Sequence, residues 1–321
     1  MTTPPRRLRF ATRGSRLALT QTRIVADLVD ARVPSVDVEI VTVSTKGDRD
    51  ARPFSAIGGK GLFVSEVERA VVEGRADAAV HSAKDLTAEL AAGCTIACVP
   101  PRASAHDVVI GGAGATGEER LLSLPSGARV GTSSMRRRAL VAELRHDLEL
   151  VELRGNVDTR LRKVADGEVA AAILAAAGME RLGEGSQAAP LSLGVWVPAP
   201  GQGALAVEVR RDRPELLELF GALEDPETRA ELTCERAFAR VVEGGCSVPL
   251  GCHAAVRGGH IAVTGFLGDP STRTFLRRRA SGPRAEAGAT GERLARELME
   301  AGGKEILASL SAREVPGVSA P

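Results

Sequence analysis

The period of apolar and polar positions changes repeatedly along the chain. Leu8–Ala11 has the make-up of a short strand. Leu17, Ile24, Val25 and Leu28 then recur at three- and four-residue spacing, which predicts a helix with Ser15 as its N-cap. Val36–Val43 alternates as a strand does, Arg49–Gly61 is glycine-bearing and loop-like, and Phe63–Glu73 returns to helical spacing. Ala78–Val80 and Thr95–Val99 have the character of short buried strands. After Pro100-Pro101 the pattern starts again. Strands are expected at Asp107–Ile110, Arg129–Val130, Leu148–Leu153 and Ala170–Leu174, and helices at Ser133–Leu144 and Asn156–Val164. Pro198–Gly203 is a turn-rich connector, and Ala204–Val209 is a further strand. Beyond Leu223 the character shifts to a helix over Thr228–Val242, a Gly-Gly-Cys turn, strands through Leu267, and a C-terminal helix near Gly291–Leu310.

Strands alternating with helices predict α/β lobes with mainly parallel sheets, followed by a smaller α+β domain. The expected division is 1–100 with 201–220, then 101–200, then 221–321, which suits a chain of 321 residues. Composition narrows the function. A net charge of +1 argues against a general nucleic-acid or membrane-surface binder, and seven Phe, one Trp and no Tyr leave little for base stacking. No apolar run is long enough to span a bilayer, and the start, Met-Thr-Thr-Pro-Pro-Arg-Arg, lacks a signal-peptide core. Five cysteines at low density point to a reduced, cytoplasmic interior without a disulfide framework.

Charge is unevenly placed. Between Arg129 and Lys163 nine Lys/Arg stand against five Asp/Glu, a local excess of four positive charges. Such an excess suits either a small anionic ligand or a solvated face. Three segments share one design, a strand end, a polar turn and a helix start: Ala11–Ser15, Gly131–Arg137 and Arg154–Arg160. Helix N-termini offer unpaired N–H groups and a positive dipole end, Ser and Thr add donors, and arginine supplies a planar fork for carboxylate. A single such turn is more often only a cap. Three together, each with arginine, favour a ligand bearing several carboxylates. In His81-Ser82-Ala83-Lys84-Asp85 the carboxylate can stabilise a cation or exchange protons, or simply cap the next helix; His81 reads as a core residue. Gly244-Gly245-Cys246 places a thiol in a turn, near arginines that favour the thiolate. Cys94, Cys98 and Cys234 read as core residues, and Cys252 with His253 lacks the further ligands a metal needs.

In order along the chain, Ala-Thr-Arg-x-Ser (11–15), Gly-Gly-Lys-Gly-Leu-Phe (58–63), His-Ser-x-Lys-Asp (81–85), Gly-Thr-Ser-Ser-x-Arg-Arg (131–137), Leu-Arg-Gly-Asn-Val-x-Thr-Arg (153–160), Pro-Gly-Gln-Gly-Ala (200–204) and Glu-Gly-Gly-Cys-x-Val-Pro (243–249) resemble the porphobilinogen deaminase family. The resemblance implies two periplasmic-binding-protein-like lobes and a third domain whose Cys246 holds a dipyrromethane cofactor through a thioether. Four porphobilinogen molecules are then added, each losing ammonia, and hydrolysis releases hydroxymethylbilane, in heme biosynthesis. By motif position Asp85 is the catalytic carboxylate. Ser82, Lys84, Asp85, Thr132, Ser133, Ser134, Arg136, Arg137, Arg154 and Gly155 would hold the cofactor with Cys246. Arg13, Ser15, Lys60, Arg154, Arg160, Arg181 and Gln202 would bind substrate.

The resemblance further implies a cytoplasmic monomer whose partner is the small molecule porphobilinogen, with no nucleic acid, membrane or metal. A chain that grows in one site needs movable domains and a lid, for which Arg49–Gly61 is the candidate. The resemblance departs at Ala56, where the family often has lysine, at Thr87, where proline is common, and at Gly14, which replaces a polar residue. Two other readings of the residues are a non-catalytic two-lobed anion-binding protein and a thiol redox protein using Cys246 and Cys252. The second lacks a Cys-x-x-Cys pair.

Overall fold

In a computed structural model of the chain, the residues described are 5–44, 64–87, 89–242 and 248–314. In chain order they form β1 (Arg7–Arg13), α1 (Arg16–Arg32), β2 (Asp37–Val43), α2 (Ser65–Val72), β3 (Ala78–Ser82) and β4 (Cys94–Cys98). Then come β5 (Asp107–Gly111), α3 (Gly117–Leu122), β6 (Arg129–Gly131), α4 (Met135–Leu144), β7 (Glu149–Val151), α5 (Val157–Ala165), β8 (Ala171–Ala175) and α6 (Ala176–Leu182). The remainder is β9 (Ala189–Pro190), β10 (Leu205–Arg210), α7 (Pro214–Gly221), α8 (Pro226–Val241), β11 (Leu250–Arg257), β12 (His260–Asp269), β13 (Thr274–Pro283), α9 (Ala287–Leu298) and α10 (Lys304–Glu314). The chain divides into two compact units. The first comprises Met1–Ala105, Ala175–Ser186 and Gly201–Leu232, and the second His106–Leu174, Gln187–Pro200 and Thr233–Pro321.

The first unit is built on a five-stranded sheet of order β2-β1-β3-β10-β4. β1 runs parallel to β2 and β3, whereas β10 is antiparallel to β3 and β4. Strand alternation sends Leu8 and Phe10 of β1, and Ala78 and Val80 of β3, to one face, where Val25 and Val29 of α1 and Leu216 and Phe220 of α7 cover them. Ala11 and Ala79 face the other way, against Val67, Ala70 and Val71 of α2. Covering both faces explains why β3 reads as an apolar run, Ala78-Ala79-Val80, and not as a clean alternation. Phe10 and Phe220 meet edge to face, with centroids 5.9 Å apart, worth about 1 kcal/mol beyond their burial. α1 ends at Arg32 because Pro34 follows two residues later and disfavours helical backbone at Val33.

The second unit carries a five-stranded sheet, β7-β6-β8-β5-β9, and a three-stranded antiparallel sheet, β11-β12-β13. β6 is parallel to β7 and β8, and β9 is antiparallel to β5. Val109, Leu140, Ile173 and Trp196 form one core with Phe266 of β12, so the smaller sheet is fastened into the same apolar cluster. α9 buries Leu294, Ala295 and Leu298.

The α/β class and the C-terminal α+β part match expectation, but both large sheets are mixed. β10 enters its sheet only after the chain has completed the second five-stranded sheet. It is therefore not bound by the short right-handed crossovers that make neighbouring strands parallel. α3, α6 and α7 were not expected from periodicity. Each is eight residues or shorter, and their signals are local: a Thr116–Glu119 capping box for α3 and Pro214 at the first turn of α7. The expected C-terminal helix is two helices, α9 and α10, broken at Gly302. Among the described residues no helix is long and apolar enough to cross a membrane.

Gly291 lets α9 lie directly on the backbone of α8, since an added Cβ would strike the Cys234 carbonyl oxygen. Gly291→Ala is expected to lower unfolding free energy by about 1–3 kcal/mol, read as a reduced urea midpoint with an unchanged slope.

Candidate active site

All three strand–turn–helix segments form as expected. Ser15 caps α1 by accepting the Ala18 N–H at 3.3 Å, Ser134 caps α4 by accepting from Arg137 N at 3.4 Å, and Asn156 caps α5 by accepting from Thr159 N at 2.9 Å. Each cap contributes about 1 kcal/mol and aims the helix start at the carboxyl end of its strand.

In the first unit, Thr12, Arg13, Ser15, Ser82 and Asp85 line one cavity of about 70 Å³, with Gln21 and His81 in its wall. Asp85 ends a single 3-10 turn, Ala83–Asp85, directly after β3. It is exposed and accepts no hydrogen bond from any described residue. Lys84 stands half-buried on the same turn. Ser82 is held by Gln21, whose Nε2 donates to Ser82 Oγ at 2.9 Å while Ser82 Oγ donates back to Gln21 Oε1 at 3.1 Å. His81 lies in the core as expected, its Nε2 2.9 Å from Glu208 Oε2 on β10.

The Pro-Gly-Gln-Gly segment acts from behind this turn. Ala83 N donates to Ala204 O at 3.0 Å, and Gly201, at φ +74°, sits so close that a Cβ would come within 2.9 Å of the Ala83 carbonyl carbon and 3.0 Å of Lys84 N. Gln202 is 1 % exposed and donates through Nε2 to Ala105 O at 2.8 Å, while its backbone carbonyl accepts from Arg102 Nε. Arg181 donates to Gly203 O at 2.8 Å, and burial draws its pKa below the usual arginine value. The structure thus places Gln202 and Arg181 on the backbone that supports the Asp85 turn.

In the second unit, Ser133 Oγ donates to Leu153 O at 2.7 Å and the buried Thr132 Oγ1 accepts from Ser134 N, which ties the β6 and β7 turns together. Arg154 pairs with Glu152 at 2.7 Å, and Gly155 opens the turn before Asn156. Arg136 and Arg137 both turn onto Asp107, the first residue of β5. Arg136 Nη1 lies 2.6 Å from Oδ2, and Arg137 Nη2 lies 2.7 Å from Oδ1. Burial alone would raise the Asp107 pKa, but the two guanidiniums outweigh it and hold the carboxyl well below its ordinary range. Arg160 donates through Nε to Gly155 O at 2.9 Å and makes no ion pair among the described residues. Burial, and then the positive charge of Arg137, draws its pKa down to about 10. Arg136, Arg137 and Arg160 therefore have a single described acid between them.

Cys94, Cys98, Cys234 and Cys252 are fully buried, and burial pushes the first three thiols up to about 12, leaving them protonated at neutral pH. Cys246, Lys60 and the candidate lid with Ala56 lie outside the described residues. Asp107, Glu208 and Trp196 are buried polar anchors that periodicity did not single out. The available signal was an acid inside or leading an apolar strand, as in Asp107-Val-Val-Ile and Ala-Val-Glu208-Val, which demands a buried partner.

These two halves define a two-lobed α/β enzyme with a carboxylate on one strand-end turn and surplus arginines on others. Residues 8–218 match the family described as porphobilinogen deaminase, dipyromethane cofactor binding domain, and residues 229–300 match its C-terminal domain. The chain is 45% identical to the porphobilinogen deaminase of Roseiflexus castenholzii over 303 residues, covering 94% of this chain and 98% of that one. It is 41% identical to that of Pelobacter propionicus over 314 residues, covering 97% and 100%. The chain belongs to the porphobilinogen deaminase family, transferases of tetrapyrrole biosynthesis that carry a dipyrromethane cofactor.

Gly201→Ala is expected to displace the Ala83–Asp85 turn and to lower kcat at least tenfold while the protein still melts cooperatively. Steady-state kinetics beside a thermal melt checks this; unchanged kcat in a folded variant would show that the glycine does not position Asp85.

Proposed function

We propose that this chain condenses four porphobilinogen molecules in turn, with release of ammonia, into hydroxymethylbilane on a dipyrromethane primer joined to Cys246 by a thioether. The observation that carries the reading is the presence of two features, each within its own unit: an exposed Asp85 that lines the small cavity and accepts no hydrogen bond from a described residue, and a group of three arginines short of acids. The residues fit the cofactor, because a ligand that bears several carboxylates suits Arg160, half-buried and near Arg137 without an acid of its own, and Arg136, whose Nε is buried without a partner. When bound, the group supplies a permanent pyrrole nucleophile that primes the chain.

The chain's own residues do the rest. Loss of ammonia from porphobilinogen leaves a cation, and the Asp85 carboxylate, fixed on its short turn, stabilises that charge and accepts the pyrrole N–H. Ser82 and Lys84 flank it as donors. Arg13 and Ser15, at the positive end of α1, bind substrate carboxylate. Thr132, Ser133, Ser134, Arg136, Arg137, Arg154 and Gly155 hold carboxylates of the cofactor and of the pyrroles added to it, and Arg160, Arg181, Gln202 and Lys60 serve the incoming substrate or its pocket. Every addition brings two more carboxylates, which is the physical reason for an excess of arginine. The reading also takes the chain as a cytoplasmic monomer with the three-part division given above, and the near-zero net charge supports the absence of a nucleic-acid partner.

Intact mass of the denatured protein tests the cofactor: an adduct of two pyrrole units is expected, and it should vanish in Cys246→Ala. Asp85→Asn should keep the adduct and lose turnover by about 100-fold or more. Near-normal turnover in that variant would remove Asp85 from the chemistry.

A further inference from the structure

Asp107 belongs to none of the sequence motifs, yet it gathers more charged donors than any other acid described above. Its carboxylate is 0 % exposed. Oδ1 accepts from Arg137 Nε at 3.0 Å and Nη2 at 2.7 Å, and Oδ2 accepts from Arg136 Nη1 at 2.6 Å and Trp196 Nε1 at 2.8 Å. Each guanidinium has a second anchor on a strand or loop carbonyl, Arg136 Nη1 on Val197 O at 2.9 Å and Arg137 Nη1 on Ile173 O at 2.8 Å. An arginine side chain is long and rotatable, and a guanidinium recognises carboxylate through a planar fork, so its orientation governs what it can bind. Carbonyl anchors alone fix one nitrogen each. The shared carboxylate fixes the planes.

One acid beneath two cations also leaves positive charge over, with Arg160 adding to it nearby. If the acid served only to neutralise, it would work against a carboxylated ligand, because removing it would make the cluster more attractive to anions. We propose that Asp107, steadied by Trp196, is the positioning residue for Arg136 and Arg137, and that it aids carboxylate binding by geometry at a cost in charge. This rests on the reading that those arginines receive ligand carboxylates.

The two ideas predict opposite signs. Asp107→Asn keeps the shape, removes the negative charge and turns an amide N–H₂ toward a guanidinium. With kinetics scaled to the cofactor-loaded fraction from intact mass, KM for porphobilinogen should rise about tenfold or more, and Asp107→Glu should recover part of it. In the cofactor-free Cys246→Ala background, the Tm increase that porphobilinogen produces should shrink when Asp107→Asn is added. A KM that is unchanged or lower in folded Asp107→Asn overturns the proposal, provided that Arg137→Gln raises KM. If Arg137→Gln also leaves KM unchanged, it is the underlying reading of the arginines that fails. Should Asp107→Asn not fold, Trp196→Phe decides: loss of this one hydrogen bond is expected to raise KM about threefold, and a wild-type KM would overturn the proposal.

Discussion

A carboxylate sealed from water must be held by charge and by hydrogen bonds together, and the second unit is arranged around one such group. Asp107 at the head of β5 draws in the first turn of α4 through Arg136 and Arg137, the end of β8 through the carbonyl that Arg137 also reaches, and the loop carrying Trp196 and Val197. Removing one partner of a buried pair leaves an uncompensated charge and typically costs about 3–5 kcal/mol of stability. The helix that displays Ser134 and the arginines is therefore fastened at the same point that sets their direction, and folding of the unit and preparation of its arginines are one event.

The first unit solves the analogous problem without buried charge on the turn itself. Asp85 is exposed, and no described residue donates to its side chain. Its position comes from the backbone: a three-residue turn after β3, pressed by Gly201 and bonded to Ala204. Exposure and support are separated, the carboxylate left open and the main chain behind it held.

Much of this was legible from the amino acids. The cap at Ser15, the helices that follow the Gly131–Arg137 and Arg154–Arg160 turns, the core character of His81, Cys94, Cys98 and Cys234, and the lobed α/β plan follow from local periodicity and residue chemistry, and they are observed; the caps of those two helices proved to be Ser134 and Asn156. The family, too, was carried by seven ordered motifs. What local pattern does not encode is pairing at a distance. The antiparallel entry of β10, the partnership of His81 with Glu208 across 127 positions, and the convergence of Arg136, Arg137 and Trp196 on Asp107 depend on which segments the fold brings together. Short helices such as α6 carry too few turns for a period to show, and Gln202 and Arg181 look like ligand groups in sequence while Gln202 Nε2 and Arg181 Nη2 donate to backbone carbonyls.

The strand order of the first sheet has a consequence for synthesis. β3 and β4 are not neighbours; β10 lies between them, and it is encoded roughly a hundred residues later. At translation rates of about 5–20 residues per second, the emerging N-terminal segment waits on the order of 5–20 s for its missing strand. Throughout that interval two β-edges with apolar faces stand open, the condition in which nascent chains pair wrongly or recruit holdases. The segment that leads into β10 also supports the Ala83–Asp85 turn, through Gly201 and Ala204, so the support of that turn and the missing strand of the sheet are synthesised together.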